Sequence, residues 1–144
     1  MALFLLTIFA QAQEPFLRVL DGDELLLELP LAAESAWILR WNHSVTGVTV
    51  SDYYRWNSEA MLLTDSHTPA FDAGLGHIPG RGRQLSDGQN GYFILDIDEP
   101  VPTNAYILRV GSRRVDHRIV HGGRSYSLSE LAAGKPVSIE VTQR

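Results

Sequence analysis

Short runs in which apolar and polar residues alternate recur along this chain between turn-forming residues, and many of the apolar positions are β-branched or aromatic. No long stretch carries a helical period. Strands are therefore expected at about 16–20 and 24–29 around Asp21-Gly22-Asp23, and at 36–45 and 48–56 around Thr46-Gly47. Further strands are expected at about 60–65, 92–98, 105–111, 115–121 and 136–142. The pattern predicts an all-β fold, a single-domain antiparallel β-sandwich of about eight to nine short strands. Ser127, Glu130 and Gly134 mark one helical turn over 127–133: a capping serine, a glutamate three residues on and a closing glycine.

Between Ser66 and Gly91 the alternation stops. This stretch holds six of the twelve glycines, two prolines, His67, His77, Arg81 and Arg83. A glycine-rich loop of that length in a domain of ordinary size marks either function or mobility.

The chain opens on an uncharged apolar run from Ala2 to Ala10, too short for the roughly 20 residues that cross a bilayer as a helix. Ala10-Gln11-Ala12 has the small-x-small form of a signal-peptidase site, although no Lys or Arg precedes the run. Residues 1–12 are accordingly read as a signal peptide and 13–144 as one all-β domain, exported to the periplasm or another extracytoplasmic space. The absence of cysteine suits an oxidising compartment and removes thiol nucleophiles and thiolate metal sites. With a net charge of -5 the chain repels phosphate backbones, so nucleic acid is excluded as a partner.

The hairpin over 36–56 holds the candidate polar residues. Turning at Thr46-Gly47 would set His43 opposite Val50 and Trp41 opposite Asp52, whereas a four-residue loop would set His43 opposite Asp52. Both registers put His43 and Asp52 on one apolar face, as direct or diagonal neighbours. A buried carboxylate needs a partner, so the two are expected to pair. Such a pair can fix strand register, help bind a ligand near the hairpin tip or orient an imidazole as a general base. Ser44 alternates away from His43. Ile38, Arg40, Asn42, Thr49, Ser51, Tyr53 and Arg55 fall on the opposite, mostly polar face, which is expected to be solvated.

Other groupings are looser. His67, His77, Asp65 and Asp72 lie in or beside the long loop without a fixed metal-binding spacing, and His117 and His121 are about 13 Å apart on a straight strand. "GLGHIPGRG", residues 74–82, sets glycine-flanked amides beside Arg81 and Arg83 and is a candidate for a small anion, though no helix follows it. Arg113 with Arg114 reads as a solvated pair. Asp96, Asp98 and Glu99 read as caps of an edge strand. No cofactor and no metal are called for.

"HSV" at residues 43–45, followed by an acidic residue and an aromatic, then "AGL" at 73–75 and Gly-x-x-Tyr-x-Leu over 123–128 ahead of a final Val-x-Ile-x-Val strand, resembles the bacterial family known as domain of unknown function 1850. His43, Ser44 and Val45 match its pattern, while Asp52 stands where glutamate is usual. Asp72 and Gly76 depart from the family's glycine and proline. The resemblance implies a small exported protein encoded beside TRAP-type transporters of the TAXI subclass, which import organic anions. Two functions follow as expectations. The first is an exported accessory or binding protein that meets a membrane transporter component, its solute-binding protein or a small anion, with His43, Ser44, Asp52, Gly74, His77 and Arg81 as candidate binding residues. The second is a hydrolase or metal-dependent enzyme using His43 and Asp52.

Overall fold

The computed structural model describes residues 12–70 and 80–144. The alternating runs form strands β1 (Pro15–Asp21), β2 (Glu24–Pro30), β3 (Ala36–Asn42), β4 (Thr49–Trp56) and β5 (Met61–Thr68). Beyond the long connection come β6 (Arg83–Ser86), β7 (Tyr92–Leu95), β8 (Glu99–Pro100), β9 (Ala105–Arg109), β10 (Arg118–His121), β11 (Arg124–Ser127) and β12 (Pro136–Gln143). Helix α1 (Leu128–Ala132) is the predicted single turn, and Ser127 caps it by accepting the Glu130 N–H at 3.2 Å.

The fold is an all-β sandwich of two antiparallel sheets. The smaller runs β2-β1-β12-β9, and the larger runs β11-β10-β3-β4-β5-β7-β6 with β8 beside β5. Twelve strands thus replace the eight or nine expected among the described residues, because β6, β8 and β11 are too short or too polar to show an alternation. The 66–91 loop is shorter than expected, since β5 runs on to Thr68 and β6 and β7 pair across Ser86 and Tyr92.

Period-2 alternation decides the core. Leu17 and Val19 of β1 and Val137, Ile139 and Val141 of β12 meet Trp37 and Leu39 of β3, Tyr54 and Trp56 of β4, and Ile119 of β10. Trp37 and Tyr54 stack at 5.8 Å, and Tyr54 stacks on Tyr106 of the opposite sheet at 5.4 Å.

One irregularity governs everything on β5. Tyr53 pairs with Asp65 but Tyr54 pairs with Leu63, so Thr64 is an extra, bulged residue. Up to the bulge the odd positions Met61 and Leu63 face the core, and beyond it the even positions Ser66 and Thr68 do. His67 and Asp65 are thereby turned to the outer face of the large sheet.

Candidate functional site

Leu39 pairs with Asp52, Trp41 with Val50 and Asn42 with Thr49. His43 closes the hairpin by donating its N–H to the Val48 carbonyl at 2.7 Å, which leaves a four-residue loop over 44–47 with Gly47 at a φ of 74°. The loop therefore lies earlier along the chain than either expected register. Face parity survives the shift, but His43 and Asp52 are separated by four positions along the ladder, about 13 Å. They do not pair. His43 instead turns Nδ1 onto the backbone N–H and hydroxyl of Thr46, and Ser44 is exposed at the tip.

Asp52 is 7% exposed and finds its partner on the next strand. The Ser66 hydroxyl donates to Asp52 Oδ1 at 2.7 Å, a contact that the bulge at Thr64 makes available by turning Ser66 inward. Burial pushes the Asp52 carboxyl above its ordinary range, while the Ser66 hydrogen bond and the charge of Arg81 act in the opposite direction. Tyr54 is pushed up to about 12, first by burial and then by the Asp52 charge. Burial likewise pushes the Tyr106 hydroxyl well above its ordinary range, and the neighbouring Tyr54 and then Asp52 act in the same direction. Asp52, Ser66, Tyr54 and Tyr106 form a polar seam inside the sandwich.

Among the remaining candidates, Arg81 is committed to a bidentate ion pair with Glu99 at 2.9 and 2.7 Å. Arg83 holds Asp96, and Arg55 reaches Glu34 and, at 3.9 Å, Asp98. The acidic run Asp96, Asp98 and Glu99, expected to cap a strand, is thus met residue by residue by arginines. Gly74 and His77 lie outside the described residues, as do Asp72 and all of the expected leader except Ala12. Among the described residues no helix is long and apolar enough to cross a membrane.

The face expected to be simply solvated carries two features missed in the sequence. Ile38 of β3, Tyr53 of β4 and Val120 of β10 form the floor of a groove of about 630 Å³ bordered by Arg55, Asp65 and Asp98. The signal was there in principle: Ile38 and Tyr53 interrupt an otherwise polar set. Two residues along β5, His67 stacks on Phe93 at 4.2 Å and shares a hydrogen bond with Asp87 Oδ2 through Nε2 at 3.1 Å. Asp87 is held in turn by the N–H groups of Gln89 and Gly91. The His67 contact, followed by these N–H groups, lowers the Asp87 pKa. His117 belongs to the scaffold: Nδ1 accepts the Gly111 N–H at 2.8 Å, and burial lowers its pKa. His121 Nδ1 contacts the Ala36 carbonyl at 2.9 Å.

These features define a class, an antiparallel β-sandwich whose large sheet keeps a grooved face turned outward. A family model described as Domain of unknown function (DUF1850) matches residues 38–128, and the chain belongs to that family. The matched span runs from β3 to the start of α1 and so takes in nearly the whole of the large sheet, groove included. No curated protein and no solved structure matches the chain.

Proposed function

We propose that this chain is an exported binding module, an accessory of a TRAP-type transporter of the TAXI subclass, and that it meets the transporter's membrane component or its solute-binding protein through the grooved face. The groove is the observation that carries this reading. A half-buried tyrosine and two aliphatic side chains flanked by ionic groups on a rigid sheet offer an apolar anchor site with a polar rim, the arrangement on which protein partners and ligands dock. The association with TAXI-type transporters comes from the family resemblance, and the expected leader supports export.

A photo-crosslinking residue placed at Tyr53 tests the reading in cells that express the full chain, with the same residue at Ile107, exposed on β9 of the other sheet, as the control. A crosslink to a transporter component from position 53 alone is expected, together with recovery of the chain in the extracytoplasmic fraction. Equal crosslinking from both positions, or none to a transporter component, overturns it.

A further inference from the structure

Arginines are well matched with carboxylates in this molecule. Arg18, Arg55, Arg81, Arg83, Arg118 and Arg144 each meet an Asp or Glu. Arg40 does not. It is half-buried, whereas the others without a carboxylate, Arg109, Arg113, Arg114 and Arg124, are exposed. Its Nε is spent on the Ser51 hydroxyl oxygen at 3.2 Å, which directs the guanidinium across β4 and leaves both Nη amino groups without an acceptor among the described residues.

The surroundings raise the cost of that unmatched cation. Arg118 is its direct cross-strand neighbour on β10, Ser51 its neighbour on β4, and His67 follows on β5, so four adjacent strands carry Arg118, Arg40, Ser51 and His67 in one row. Neighbours in the row are about 4.8 Å apart. Arg118 is already paired with Asp116 and supplies no counterion, and a half-buried cation without one is costly. One further donor is at hand: Ser51 accepts from Arg40 and keeps its hydroxyl proton to give.

We propose that Arg40 is the centre of an anion site on the outer face of the large sheet, one residue pair along from the groove, and that it takes a carboxylate end-on through its two Nη groups. The Ser51 hydroxyl is a further donor beside it. This site is distinct from the Arg81 loop, whose arginine is already neutralised by Glu99. It does not depend on the partner proposed for the groove.

The test is titration of the full chain with sodium succinate at low ionic strength, read by amide chemical shifts and by the melting temperature. Saturable shifts centred on 40, 51 and 118 and a rise in melting temperature are expected. R40Q should weaken binding by about tenfold or more and R113Q should leave it unchanged. R40K, which keeps the charge and stem but loses the planar fork, should bind less tightly than the parent chain and serves if R40Q does not fold. Unsaturable shifts in the parent chain overturn the site, as does binding that survives both Arg40 substitutions. Loss of binding in R40Q with crosslinking from Tyr53 intact separates this inference from the groove reading.

Discussion

Replacing Ser66 with alanine isolates the interior polar seam. The substitution deletes one buried hydroxyl, 1% exposed, and with it the hydrogen bond to Asp52. A hydrogen bond to a charged group contributes roughly 1.5–3 kcal/mol, and one between neutral groups about 0.5–1.5 kcal/mol. The loss should therefore depend on pH. Asp52 has a folded-state pKa raised above the ordinary value, so its contribution to stability is fully present below the unfolded value and is lost as pH rises through the folded one. Removing Ser66 takes away an interaction that lowers the pKa, so the variant loses stability more steeply as Asp52 ionises. Urea unfolding at about pH 8 should show a deficit of roughly 1.5–3 kcal/mol, or about 5–9 °C in Tm for a chain of this size, falling to about 1 kcal/mol near pH 3.5. Asp52→Asn keeps an acceptor for Ser66 without the charge, so at about pH 8 it should be no less stable than the parent chain and should flatten the pH profile. A Ser66→Ala deficit that is equal at both pH values would refute the reasoning, because the hydroxyl would then not be stabilising a carboxylate.

His43→Ala should cost less than about 1 kcal/mol in thermal melts, since among the described residues the His43 side chain bonds only to Thr46 of its own loop; a larger loss would mean that it is coupled to the core. Gly91→Ala would place a Cβ 2.2 Å from the Thr68 carbonyl oxygen and 2.4 Å from Pro69 Cα, so a loss of about 1–3 kcal/mol is expected in denaturant unfolding. Ser127→Ala removes both the cap of α1 and a hydrogen bond to Asp116, and should cost about 1–2 kcal/mol by the same measurement.

The sequence was most legible where alternation had a single dry side. Strands β1, β3, β4 and β12 pack in on one face, so their spacing alone identifies Leu17, Trp37, Leu39, Tyr54 and Ile139 as core. The hairpin was half legible for the same reason. Side-chain period fixes which face Asp52 occupies, whereas its opposite number depends on where the loop closes, and a two-residue shift of the ladder leaves every face unchanged while changing every partner. Ser66 was out of reach because the bulge at Thr64 has no local signature: Leu62 to Ser66 reads equally well as a regular strand running out. β6, with the exposed sequence RQLS, and β11, with RSYS exposed only in its first half, take their extended form from a neighbouring strand rather than from a pattern of their own. Arg40 and His67 stood out in no motif, since their relation arises from adjacent strands rather than from spacing along the chain.

Thr64 acts as a one-residue phase slip, and it lets a single strand serve two masters. The half of β5 before it is tuned to the oily interior, and the half after it can vary His67 and Asp65 in front of solvent without disturbing Met61 or Leu63. Removing that one residue would invert the later half, sending an imidazole and a carboxylate inward and a serine outward, a heavier blow than any exchange of side chains along the same strand.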